Sequence, residues 1–177
     1  MRLIQLSPLL PVLAVACGDW RFHHCHLWAE DPWRRPMRVT VVEVIDGDTF
    51  DVEPPVLLPD GTEQDRVRPL CIDTPELADH ECYAEEALAR LVALLEGQEV
   101  TLRFVEDPVG EFGRVLAYVL VDGELLNLQL VEEGYALPID EYFGGYACYE
   151  EVVEAAQAAR DADVGGWAVC HGAPWEL

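Results

Sequence analysis

Glu81-Cys82-Tyr83-Ala84-Glu85-Glu86-Ala87-Leu88-Ala89-Arg90-Leu91-Val92-Ala93-Leu94-Leu95-Glu96 decides the fold, because a single helix here divides two sets of strands. Ala84, Leu88, Leu91 and Leu95 fall on one stripe at helical spacing, and Gly97 supplies the stop. Upstream, Val39 to Val44 is β-branched, Phe50-Asp51-Val52-Glu53 alternates, and Arg66 to Ile72 reads as a third strand. Pro54, Pro55 and Pro59-Asp60-Gly61-Thr62 mark the turn before it, and Pro69 predicts an edge or a bulge within it. Downstream, Val100, Leu102 and Phe104 alternate, then Val115, Ala117 and Val119, closed by Asp122-Gly123. Leu126, Leu130 and Val131 make a second helix, and Val152, Val153, Ala156 and Ala159 a third. Five strands with a helix between the third and fourth is the order of an oligonucleotide-binding (OB-fold) barrel. The expected class is α+β, a five-stranded OB-fold barrel with three helices.

The chain has 177 residues, enough for one domain and a short appendage. Half of them are hydrophobic, which excludes a wholly disordered chain. There are 34 acidic residues against 11 basic ones, and every basic residue is arginine. From Val39 onward 31 acids face 6 arginines, a net −25. Proteins that grip a polyanion carry a basic footprint, since displaced counterions supply most of the affinity. The whole surface cannot do that here, so any anion grip must be local.

Residues 1–16 read as an export signal: Arg2, an apolar run from Leu3 to Val15, and Ala14-Val15-Ala16 as a cleavage site. The run is too short for a permanent bilayer span. Leu13-Ala14-Val15-Ala16-Cys17 also resembles a bacterial lipoprotein signal, with the leucine one place farther from Cys17 than usual. Secretion and a membrane tether through lipidated Cys17 both stay open. Residues 17–38 form a linker, within which His23-His24-Cys25-His26 reads either as a solvated stretch or as a transition-metal site. The globular domain is expected over 39–170, with a tail over 171–177.

Three runs carry chemistry: Ile45-Asp46-Gly47-Asp48-Thr49-Phe50, then Arg68-Pro69-Leu70-Cys71-Ile72-Asp73-Thr74-Pro75-Glu76, then Glu111-Phe112-Gly113-Arg114-Val115-Leu116-Ala117-Tyr118. Taken alone, Asp46-Gly47-Asp48 is also a hairpin turn, Asp73-Thr74-Pro75-Glu76 also a helix cap, and Glu76 also a surface glutamate. Together, in this order, the runs resemble the staphylococcal (thermo)nuclease family, over about Val39 to Trp167.

That resemblance implies a calcium-dependent phosphodiesterase acting on DNA and RNA with little sequence preference, leaving 3′-phosphates and 5′-hydroxyls. It assigns Asp48, Asp73 and the Thr74 carbonyl as Ca2+ ligands, with Asp46 behind them, oxygens that suit a hard cation. It makes Glu76 the base that takes a proton from the attacking water. Arg68 and Arg114 become the phosphate-binding guanidiniums, planar and always charged. Arg66 should point to the other side of its strand, to the surface.

Tyr142 matches one of the family's two pocket tyrosines, whereas Asp140 replaces the other. Glu111 and Phe112 stand where the family often has lysine and tyrosine. Base stacking would then rest on Tyr142, with Tyr146 or Phe143 as helpers. Secreted members often have cysteines at the places of Cys82 and Cys170, implying a disulfide. His80-x-Cys82 with Cys170-His171 is the zinc alternative. Cys25, Cys71 and Cys148 have no assigned partner. A monomer is expected. The rival reading is a non-catalytic binding module on the same barrel.

Overall fold

A computed structural model of the chain describes residues 35–139, 149–171 and 174–175. The export signal, Cys17, the linker up to residue 34 with its histidines and Cys25, Cys148, and Tyr142, Phe143 and Tyr146 lie outside the described residues, whereas Met37 and Arg38, expected in the linker, already belong to the first strand.

Strands β1 (Met37–Asp46), β2 (Thr49–Leu57) and β3 (Glu63–Pro69) form an antiparallel meander. β4 (Ile72–Asp73) is a short strand before helix α1 (Ala84–Leu95), and β5 (Glu99–Val109) and β6 (Val115–Val121) follow. β5 pairs with β1 and β6 on its two sides, and β6 lies parallel to β3, with Val67, Arg68 and Pro69 opposite Val115, Leu116 and Ala117. That parallel seam closes a five-stranded barrel, the expected architecture. Among the described residues β7 (Glu124–Leu125), α2 (Leu126–Glu132), β8 (Leu137–Pro138), α3 (Tyr149–Asp161) and α4 (Gly166–Val169) follow, with β4 paired to β8.

Alternation puts Val39, Val41, Phe50, Val52, Val67, Val100, Leu102, Val115, Ala117 and Val119 into one core. Leu91 and Leu95 of α1 bury fully against it, each worth roughly 1.5–3 kcal/mol of transferred apolar surface. The buried stripe runs through Ala84, Ala87, Leu91 and Leu95, so Ala87 takes the place anticipated for Leu88. The helix begins three residues later than the sequence suggests. His80 and Tyr83 have φ of 57° and 77°, a left-handed turn that no helix can include. Gly97, at φ 73°, turns the chain back and donates its N–H to Val41 O at 3.0 Å, fixing the helix end to β1.

The prolines act differently from expectation. β2 runs through Pro54 and Pro55 to Leu57, and its ladder with β3 is interrupted between Asp51 and Val56 because the prolines have no N–H to give. Pro69 lies in the closing seam, neither at an open edge nor at a bulge. It is the last residue of β3, and the next amide, that of Leu70, reaches Ala117 O at 2.9 Å.

A second, smaller cluster gathers Leu137, Ala159, Trp167, Cys170 and Trp175. Cys82 and Cys170 are joined by a disulfide across 88 residues, which ties this cluster to the start of α1 and takes both sulfurs from any zinc site. Among the described residues no helix is long and apolar enough to cross a membrane.

Candidate active site

One end of the barrel brings the three motif runs together. The β1–β2 turn carries Asp46 and Asp48, the end of β3 carries Arg68, β4 ends on Asp73, and Arg114 immediately precedes β6. Asp48 is buried, 6% exposed. Its Oδ2 accepts from the Thr74 amide at 2.9 Å, the Thr74 hydroxyl at 3.1 Å and Arg68 Nη2 at 3.0 Å. The Thr49 hydroxyl donates to its Oδ1 at 3.2 Å, and Asp46 Oδ1 accepts from the Asp48 amide at 3.1 Å.

Arg68 is equally enclosed, 7% exposed. Its Nη1 donates to Ile72 O at 2.6 Å and Pro69 O at 3.0 Å, and its Nη2 reaches Asp73 Oδ1 at 2.6 Å as well as Asp48. The guanidinium therefore bridges two carboxylates, one from the β1–β2 turn and one from β4. Arg66, one strand position apart in side-chain phase, leaves the barrel and forms a bidentate pair with Asp51 at 2.8 and 3.0 Å, as expected of a surface arginine.

Local electrostatics lean negative. Four carboxylates, Asp46, Asp48, Asp73 and Glu76, share this corner with two guanidiniums. Burial raises the Asp46 carboxyl above its ordinary range, and the Asp48 charge adds to that. Burial also raises Asp73, with Glu81 adding and Arg68 and Arg114 opposing. Glu76 is raised by burial first, then by Asp48, Asp73, Asp46 and Glu81, so all these charges converge on it. An oxygen-only, over-negative corner fits a hard divalent cation, which would relieve that repulsion. Among the described residues no three His, Cys, Asp or Glu side chains converge into a metal cluster. Two aspartates and a main-chain oxygen fall below that number, and water fills the remaining positions around such ions.

Gly47 is what lets the turn close on Thr74. A Cβ there would lie 2.5 Å from Thr74 Oγ1, 2.9 Å from Thr74 Cβ and 3.2 Å from Ala87 Cβ. Thr74 cannot yield without losing its bond to Asp48, and α1 backs the other side. Gly47→Ala is expected to cost about 1–3 kcal/mol by overpacking, and to separate Asp48 from Thr74. A urea midpoint equal to that of the parent would show that the turn is not so tightly wedged.

Several residues of the site gave no sequence signal. Asn127, fully buried on α2, donates to Leu70 O at 2.8 Å and accepts from the Val119 amide at 3.0 Å. It thus fixes the turn between Arg68 and Asp73, where Cys71 has φ 67°. Glu81 accepts from the Glu76 amide at 2.7 Å. Gln64 donates to Gly113 O at 2.7 Å and holds the loop before Arg114. A polar residue on a helix or strand pattern has no period of its own, so only tertiary contact reveals these three. Cys71 is buried beside the Tyr118 hydroxyl at 3.8 Å, and burial pushes its thiol up to about 11 against a small opposing effect of that hydroxyl.

Residues 66–169 match the family model described as staphylococcal nuclease homologue. The match spans Arg68, Asp73, Thr74, Glu76 and Arg114 and begins after Asp48. The chain is 32% identical over 121 residues to a thermonuclease of Staphylococcus intermedius, covering 66% of this chain and 67% of that protein. It is 36% identical over 108 residues to Endonuclease YncB of Bacillus subtilis, covering 58% of this chain and 48% of that protein. Similarity to Protein ParB of Escherichia coli, 32% over 187 aligned positions, covers 98% of this chain and 89% of that protein. With the closed barrel and the family model covering more than half of its length, the chain belongs to the staphylococcal nuclease homologues.

Proposed function

We propose that the protein is an exported, calcium-dependent nuclease that hydrolyses phosphodiester bonds of DNA and RNA with little sequence preference. The observation that carries this reading is the bridge from Asp48 through Arg68 to Asp73, with Glu76 within electrostatic reach of both aspartates. Relatives named thermonuclease and endonuclease support it.

Asp48, Asp73 and the Thr74 carbonyl are the residues that would hold Ca2+. The ion, when bound, lowers the pKa of water and neutralises phosphate charge. Glu76 accepts the proton of the attacking water. Arg68 and Arg114 orient the phosphate and hold the charge that builds as water attacks phosphorus. The acidic surface leaves these two arginines as the local positive charge that a polyanion meets at the site. Export follows from residues 1–16, either as a soluble protein or tethered through lipidated Cys17.

Plasmid digestion with calcium against excess chelator tests the reading. Cleavage is expected only with calcium, none with Asp48→Ala, and a rate lower by roughly a hundred-fold or more with Glu76→Ala. Wild-type rates indifferent to chelator would rule out the metal. A folded protein that binds but never cleaves would support the binding-module alternative.

A further inference from the structure

We propose that Glu81 is a positioning residue that holds the main chain of Glu76 and so aims the Glu76 carboxylate at the attacking water. The inference rests on the nuclease reading and deepens it by naming what places the base.

Glu76 is exposed, and among the described residues no hydrogen bond holds its carboxylate. Its aim therefore depends on its main chain. Upstream that chain is fixed. Thr74 gives both its amide and its hydroxyl to buried Asp48, and buried Pro75 follows with φ set by its ring. Downstream run Leu77, Ala78, Asp79 and His80, the last three of them exposed. Segments with so little burial open locally at small cost.

Glu81 closes that loop at its neck, and does so twice. Its Oε2 accepts from the Glu76 amide at 2.7 Å, and its own amide donates to the Glu76 carbonyl at 3.1 Å. One residue thus satisfies both main-chain groups of the base. A bond from an amide to a carboxylate is also stronger than one between neutral groups. Within the neck the His80 amide donates to Leu77 O at 3.2 Å, and His80 at φ 57° doubles the chain back.

The residues that follow Glu81 make it an anchor. Cys82 is joined to Cys170, and its carbonyl accepts from the Trp175 indole at 3.1 Å. Tyr83 stacks on Tyr135 with ring centroids 5.4 Å apart, and the Ala84 amide donates to Glu81 O at 3.3 Å. The neck thereby ties an exposed base to the cross-link and to α1. The Glu81 charge repels the carboxylates of Asp73 and Glu76. Glutamine at this place would accept the same amide without that charge, which separates the oxygen's role from the acid's.

The test is steady-state cleavage of a DNA oligonucleotide at saturating calcium, by the full chain and by E81A, E81Q, E76A and E76A/E81A. E81A is expected to lower kcat about 10- to 100-fold, the effect of displacing a base by about an ångström. KM should stay within about two-fold, because substrate binding does not pass through the neck. E81Q keeps an acceptor oxygen and should hold kcat within about three-fold of the parent. Adding E81A to E76A should change kcat by less than about two-fold, since no base remains to be aimed. Amide hydrogen exchange of the calcium-free protein reads the neck directly. The Glu76 amide should exchange about ten-fold faster or more in E81A, while the Leu91 and Leu95 amides of α1 keep the parent's rates. Parent-like kcat in E81A overturns the inference, as does an unchanged exchange rate of the Glu76 amide. An equal kcat loss in E81Q and E81A overturns it too, because Glu81 would then be a proton acceptor or an ion ligand in its own right. A further loss in the E76A background overturns it by showing that Glu81 acts on something other than the base. A parent protein that does not cleave with calcium marks failure of the nuclease reading itself, and this inference falls with it.

Discussion

Arg68→Met is expected to lose about 3–5 kcal/mol of folding stability together with all measurable phosphodiester cleavage, the stability loss being that of a buried pair broken from one side. Methionine keeps much of the arginine stem but removes the charge that offsets Asp48. The Asp48 carboxylate, 6% exposed, would be left with the Thr74 and Thr49 donors and no cation. Asp48→Asn added to Arg68→Met should recover part of the stability, though none of the activity. The double-mutant cycle then isolates the pair energy. Asp73 provides a contrast on the same guanidinium. Its side chain is 43% exposed, so solvent screens the 2.6 Å contact. Asp73→Asn should therefore cost about 1 kcal/mol or less while still abolishing cleavage. Urea unfolding at constant m-value reads these differences. A loss under about 1 kcal/mol for Arg68→Met would show that the buried bridge is far weaker than its geometry implies.

Loss of the Cys82–Cys170 bond is the second large effect. The two cysteines are 88 residues apart, and the closed loop predicts roughly 3–5 kcal/mol from restricting the unfolded chain. The loss should be uneven across the molecule. Trp175 donates its indole N–H to Cys82 O at 3.1 Å, packs edge-on to Trp167 with centroids 5.1 Å apart, and stands at right angles to Tyr83. Cys82→Ser with Cys170→Ser should loosen that aromatic group first, shifting tryptophan emission to the red while the barrel ladder keeps its far-ultraviolet signal. Cooperative unfolding of both signals at an unchanged midpoint would sink this account.

The barrel was legible because its signals are periodic. Val100 and Leu102 alternate, Leu91 and Leu95 recur one turn apart, and Asp122-Gly123 carries the positive φ values, 51° and 90°, that a tight turn demands. Where physics is not periodic the reading failed. Pro54 and Pro55 look like strand breakers, but β2 resumes pairing beyond them, with Val56 and Leu57 opposite Gln64 and Glu63 of β3. Ala87 rather than Leu88 meets the barrel, because helix rotation is set by Leu91 and Leu95, and a small residue fits where Gly47 approaches. α4 left no stripe: four residues are too few for one.

At the site, the motif runs named Asp48, Arg68, Asp73 and Thr74, and the structure puts these four in direct contact. The sequence did not show that Arg68 is itself the bridge between the aspartates. Nor did it show that Asn127 and Gln64 fasten the two turns that carry the arginines. Such bonds join residues about fifty places apart, and no local pattern encodes them.

The parallel seam between β3 and β6 also sets when the site can exist. Val67 and Val115 are neighbours across it although 48 residues separate them along the chain, whereas β1, β2 and β3 pair through short turns. Contacts of long sequence separation form late, because the loop entropy must be overcome before they reward the chain. Arg68 ends one side of the seam and Arg114 begins the other. A chain whose strands are paired except at this seam has its arginines on β3 and next to β6, with β2, β1 and β5 lying between them in the open sheet. The two arginines proposed to grip phosphate therefore come together in the same step as barrel closure and part in the same step on unfolding, so a half-folded chain carries no half-built pair.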